Sequence, residues 1–271
     1  MVKKLLKYEF KARAPLLLLF WGIILLLACA VKIMSLLNNS DNGFNPVSFF
    51  YRTSVTLLAM GCSALLVVTE VLNIVRFYKN LYSTEGYLSF TLPVTEHQHI
   101  FVKTFVSFVM IVGGFIVCCI AALIAADADF IRTVFVYIEA MFEQLVDICG
   151  TVNVVFYVIE GVIAIIIALL TGIMVFNACL SIGQLAKRRK VLLAVGVYAG
   201  LHVASQILST ILTVILAFSA NFLEDFFVWF SEHLAVGLHV SMSIILVIDA
   251  AAFVLFYLAT YLPMKKRLNL E

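Results

Sequence analysis

The chain has 271 residues, 64% of them hydrophobic and only 13% charged, with a mean hydropathy of +1.11. Soluble domains run at about 45–50% apolar and about 25% charged, so a water-soluble fold is excluded and lipid is the solvent for most of this surface. The net charge of +2 says little, because the placement of the charges matters more than their sum.

Residues 2–13 put Val2, Leu5, Leu6 and Phe10 on one helical face and Lys4, Lys7 and Lys11 on another. That pattern suits a helix lying at the headgroups. It also suits a plain basic flank that orients the first span. Pro15 is expected to allow a turn into that span. Ala28-Cys29-Ala30 resembles a signal-peptide cleavage site, but the apolar run continues through Ile33 and Leu37, with Lys32 positioned to snorkel outward.

Six apolar runs, at about 15–37, 53–75, 100–126, 152–184, 191–219 and 234–262, each reach the length of about 20 residues that a bilayer demands. Backbone groups in hydrocarbon must be satisfied within their own segment, and no run alternates like a barrel strand. The expected fold is an all-α integral membrane protein of six transmembrane helices, one permease-like domain over 1–271.

The polar segments follow in order. Residues 38–46 form a short polar turn, and Thr95 with Gln98 reads as a capping box that starts the third span. The segment 127–150 repeats Phe130, Val134, Ile138, Phe142 and Leu145 on one face, an amphipathic surface helix. Residues 221–233, NFLEDFFVWFSEH, read as an aromatic belt or a short re-entrant helix.

Fifteen of the eighteen basic residues fall on one side of this arrangement: Lys3 to Arg13; Arg76, Lys79 and Lys103; Lys187 to Lys190; and Lys265 to Arg267. The other side carries Lys32, Arg52 and Arg132 among a majority of acids, including Asp127, Glu139 and Glu224. The positive-inside rule then places both termini, and residues 76–99, in the cytoplasm. The six cysteines show no CxxC pair and no metal spacing.

The stretch RFYKNLYSTEGYLSFTLPVTEHQH (76–99) is the one dense island of aromatic, charged and turn-forming residues between two apolar runs. The second span is expected to end near Arg76, with Gly86 permitting a tight turn and Pro93 interrupting the helix. Aromatics anchored by charges suit a surface that grips a partner, and they equally suit anchoring at the headgroups. The run Phe77–Val94, FYKNLYSTEGYLSFTLPV, resembles the cytoplasmic segment after the second span in ABC-type exporter permeases of the type-2 class, many from Gram-positive bacteria.

That resemblance implies a multi-pass subunit of a bacterial cell membrane. It implies a coupling segment at 77–99 that docks on a separate ATP-binding subunit through Phe77, Tyr78, Lys79, Asn80, Glu85, Gly86, Tyr87, Leu88, Leu92 and Pro93. It implies a second permease subunit, identical or different, and ATP with Mg held by the partner rather than by this chain. In agreement, the sequence has no GxxxxGK[ST] phosphate loop.

Ionisable residues inside spans are functional candidates by default. Asp249 is the most central, and Glu70 and Glu160 lie nearer the ends, so these three are the candidate translocation path. His202 and His239 read as interhelical hydrogen-bond donors. Two other classes compete with the exporter. An intramembrane enzyme lacks its motifs: no HExxH, no GxSxG, and only His97-Gln98-His99 as a histidine pair. A proton-coupled carrier using Glu70, Glu160 and Asp249 lacks the expected internal repeats, and an accessory membrane protein without transport completes the set.

Overall fold

The computed structural model describes residues 2–38, 46–83, 86, 94–186 and 188–266. Among these residues there are eight helices and no strand: α1 (Val2–Leu37), α2 (Pro46–Tyr82), α3 (Glu96–Ala125), α4 (Ala128–Cys149), α5 (Thr151–Gly183), α6 (Lys190–Phe218), α7 (Ala220–Glu232) and α8 (Leu234–Lys266). Six of them, α1, α2, α3, α5, α6 and α8, are long and apolar enough to cross a membrane. The protein is therefore an all-α, multi-pass membrane protein, as its composition demands.

The chain divides into two units, Met1–Leu81 with Tyr87–Ile138, and Tyr82–Gly86 with Glu139–Glu271. The boundary falls within α4, so no single expected domain boundary marks it.

The first unit is built on α1, α2 and α3. Leu17, Trp21, Ile24, Ala28 and Val31 recur at spacings of four and three on α1, which makes one continuous contact stripe. Leu17 packs on Val102, Val106 and Met110 of α3. Ile24, Ala28 and Val31 pack with Leu58 and Leu65 of α2 and Val117 and Ala121 of α3. Lipid is as apolar as these side chains, so close van der Waals fit rather than exclusion of water holds the helices together. Gly113 shows how close the fit is: a Cβ there would stand 2.6 Å from the Trp21 indole.

Helix directions follow from paired residues. Glu9 with Lys103, Arg13 with Ser107 and Lys32 with Ala126 keep one offset of 94 residues, so α1 and α3 run parallel. Arg13 with Asn73, Ala12 with Arg76 and Glu9 with Asn80 run in opposite senses, so α2 is antiparallel to both. Successive crossings of a bilayer require this alternation.

Two expectations are corrected. First, α1 does not turn at Pro15 but continues from Val2 to Leu37. Proline removes one backbone donor and crowds the carbonyl four residues earlier. Here Arg76 Nη2 donates to the neighbouring Ala12 carbonyl at 2.8 Å, and buried Arg13 and Leu17 pin the helix on both sides. Second, α2 does not end near Arg76 but extends to Tyr82.

In the second unit, α5 and α8 run parallel: Tyr157 Oη donates to the Ala235 carbonyl at 2.9 Å and Thr171 Oγ1 to that of Asp249 at 3.3 Å. α6 turns back along α5, with Phe176 stacked on Tyr198 at 5.2 Å. The turn is tight because Gly183 lies against the Lys190 carbonyl and Ala194, where a Cβ would come within 2.8 Å of backbone. Arg189 closes it in the left-handed region at φ 57°. The residues read as an aromatic belt or short re-entrant segment lie largely in α7, and the predicted amphipathic surface helix is α4.

Candidate functional site

The polar centre of the first unit lies where α1, α2 and α3 meet, next to the start of the 76–99 island. The carboxylate of Glu9 collects three donors: Lys103 Nζ at 2.6 Å, Asn80 Nδ2 at 3.1 Å and Arg13 Nη2 at 3.3 Å. Arg13 Nη1 reaches Asn73 Oδ1 at 2.8 Å and Ser107 Oγ at 2.9 Å. Arg13 is only 4% exposed and Lys103 3% exposed. Glu70 lies within electrostatic reach of Arg13, and Asn73 Nδ2 stands beside Glu70 without hydrogen-bond geometry.

A buried charge is stable only when paired and hydrogen-bonded; here one acid is shared between two cations, and Arg13 Nε has no hydrogen-bond partner among the described residues. Sequence reading counted Arg13 and Lys103 as orienting charges and did not connect them to Glu9. The available signal was Glu9 itself, a lone acid four residues before Arg13 in an otherwise basic segment.

The predicted docking residues divide by placement. Phe77 is buried, at 2% exposed. Asn80 is taken by Glu9. Tyr78 is half-buried and Lys79 is exposed near the end of α2. Gly86 is buried, and its N–H donates to the Ser83 carbonyl at 2.7 Å. Glu85, Tyr87, Leu88, Leu92 and Pro93 lie outside the described residues. In the second unit, Tyr82 Oη is 2.5 Å from Ser181 Oγ, whose own proton is directed to the Asn177 carbonyl at 2.9 Å. At the far side of the island Thr95 is extended, and its N–H donates to Gln98 Oε1 at 3.3 Å, the expected half of the capping box.

The three intramembrane acids fall in two units. Glu70 belongs to the first unit. Glu160 pairs with His239 Nδ1 at 3.0 and 3.1 Å, and the His239 ring lies 4.4 Å from that of Tyr157. His239 is thus an interhelical partner, as its sequence position suggested. Asp249 sits level with Thr171, eleven residues beyond Glu160, or roughly 16 Å along the helix axis. Its backbone carbonyl is bonded, and its half-buried carboxylate has no partner among the described residues.

At the opposite end of the first unit, Asp127 accepts from Ser35 Oγ at 2.6 Å and Lys32 Nζ at 3.4 Å. Lys32 also caps the last turn of α3 through the Ala126 carbonyl at 2.8 Å. The Ser35 hydrogen bond first, and Lys32 second, hold the Asp127 carboxyl below its ordinary value.

All six cysteines are free. Among the described residues no three His, Cys, Asp or Glu side chains gather into a metal-binding group; His97 is exposed while His99 is buried, so the two do not share a face. No protein-family model, curated protein or solved structure matches this chain.

Proposed function

We infer that the chain is the permease subunit of an ATP-driven exporter, which couples ATP hydrolysis by a separate subunit to movement of a substrate across the membrane. The observation that carries this reading is the run Phe77–Val94, set between two spanning helices and resembling the coupling segment of type-2 exporter permeases. Two structural features support it. α2 continues as helix through Phe77 and Asn80 to Tyr82, so the start of the segment is continuous with the spanning helix. The Glu9 network ties that helix end to α1 and α3, so the three helices move as one body. Nucleotide and Mg belong to the partner subunit, and a second permease subunit completes the path.

A proton-coupled carrier is the second reading, and the unpartnered Asp249 carboxylate favours it. One experiment separates the two. The protein is drawn from its native membrane in mild detergent, beside a variant carrying Glu85→Ala, Tyr87→Ala and Leu88→Ala. Copurification of an ATP-binding subunit with the wild type, and its loss in the folded variant, is the expected result. A chain that emerges alone in both cases rejects coupling and leaves the Asp249 carrier.

A further inference from the structure

The first three turns of α1 expose Lys4, Lys7 and Lys11 along one side. None of the three forms an ion pair or a hydrogen bond among the described residues. Glu9, the one acid of α1, points about half a turn away and is held by Lys103 and Arg13. Because α1 runs unbroken through Pro15, the lysine row continues at steps of three and four into the exposed Leu18, Leu26, Ile33 and Leu36. A Cβ built on Gly22, in the same row, meets nothing within 4 Å. The row lies opposite the buried stripe of Glu9, Arg13 and Leu17, so it faces away from α2 and α3.

Helix length sets the depth of the lysines. Lys32, near the other end of α1, is bonded to the Ala126 carbonyl and to Asp127. Lys11 precedes Lys32 by 21 residues, or about 31 Å of helix. That matches the roughly 30 Å of hydrocarbon in a bilayer. With Lys32 at one boundary of the hydrocarbon, Lys11 stands at the other. Lys7 lies one turn further out, about 6 Å, which is the depth of a headgroup layer. Tyr8, also exposed, sits between them at the level that aromatic side chains favour.

The counterion at that level is phosphate. A soluble protein does not enter the headgroup layer. Alternating crossings bring the end of α5, the start of α6 and the end of α8 to this same membrane surface, and they supply no acid. Among the described residues they carry Arg188, Arg189, Lys190 and Lys265. We propose that Lys7, Tyr8 and Lys11, with Lys4 beyond them, form a binding site for the headgroup of an anionic phospholipid. The site rests on the spanning fold of α1 and not on the exporter reading, and no ATPase enters its test.

The full chain is reconstituted in nanodiscs of phosphatidylcholine with a minor share of phosphatidylglycerol. A benzophenone side chain replaces Tyr8 or, past the bilayer midplane on the same row, Leu26. The lipid adducts formed on irradiation are identified by mass spectrometry. Adducts at position 8 are expected to be enriched in phosphatidylglycerol by about fivefold or more over its share of the disc, the scale of one lysine at an anionic headgroup. Adducts at position 26 should mirror the mixture. Lys4→Gln, Lys7→Gln and Lys11→Gln together should remove the enrichment, and arginine at the same three positions should keep it. Arg188→Gln with Lys265→Gln should leave it unchanged. Basic flanks also orient insertion, so the ratio between positions 8 and 26, which needs no lysine removed, is read first. Equal adduct composition at the two positions, loss of the enrichment in the Arg188–Lys265 control, or displacement of the phosphatidylglycerol by inorganic phosphate each overturns the proposal. So does a protein adduct in place of lipid at position 8 in native membranes.

Discussion

Lys103 Nζ stands 2.6 Å from Glu9 Oε1 with both side chains buried, and Arg13 shares the same carboxylate. Among the described residues, Glu9 is therefore the only acid that both of these cations touch. Removing one partner of a buried pair costs about 3–5 kcal/mol, because the other is left uncompensated. Glu9→Leu strands two cations and is expected to lower the melting temperature in detergent most. Lys103→Met leaves Glu9 with Arg13 and is expected to cost less. The double variant should recover part of the loss of Glu9→Leu, and a cycle of thermal melts reads the coupling. Equal, additive losses would refute the shared-carboxylate arrangement.

Gly113 lies under the Trp21 indole, and a methyl group there would sit 2.6 Å from the ring. Overpacking of this kind costs about 1–3 kcal/mol. Gly113→Ala is expected to destabilise the first unit. Gly113→Ala with Trp21→Leu should recover part of that cost, since the ring that clashes is gone. Gly161 and Gly172, with nothing within 4 Å of a built Cβ, serve as controls whose alanine variants should be near neutral.

The Asp127 clasp gives a pH dependence with a defined sign. Its carboxyl is held below the ordinary value by the Ser35 hydrogen bond and then by Lys32. A group with a depressed folded pKa stabilises above its unfolded pKa and loses that contribution as pH falls through the folded one. The site is exposed, so the effect is small, below about 1 kcal/mol. The stability gap between wild type and Asp127→Asn is expected to be flat from neutral pH down to roughly pH 5, and to close below roughly pH 4. A gap that widens on acidification would contradict the clasp.

Much of the fold was legible because lipid imposes simple rules. Every long apolar run became a helix, the 127–150 periodicity became α4, and Thr95 with Gln98 capped α3. What failed were the judgements that depend on distant partners. Pro15 looked like a turn, but Arg76, far along the chain, engages the adjacent Ala12 carbonyl. The end of α2 was placed at Arg76 because hydropathy falls there, yet Asn80 and Phe77 are held by tertiary contacts that hydropathy does not see. Arg13 and Lys103 looked like orienting charges because Glu9 lies 94 residues from Lys103 in sequence.

The Glu160–His239 pair decides how the intramembrane acids are to be weighed. Both carboxylate oxygens face His239 Nδ1, at 3.0 and 3.1 Å, and the pair joins α5 to α8. Intramembrane polar contacts average about 0.6 kcal/mol and reach about 1.7. If Glu160 is structural, Glu160→Gln should retain much of the contact, because its carbonyl still accepts from the ring. Glu160→Leu and His239→Leu should each destabilise, and their double variant should show coupling of that size. Asp249→Asn, by contrast, breaks no side-chain bond among the described residues and should leave the melting temperature unchanged. A variant of Asp249 that folds normally yet abolishes transport, beside a transport-competent Glu160→Gln, would assign the path to Asp249 alone. Loss of transport in Glu160→Gln at unchanged stability would instead bring Glu160 back into it.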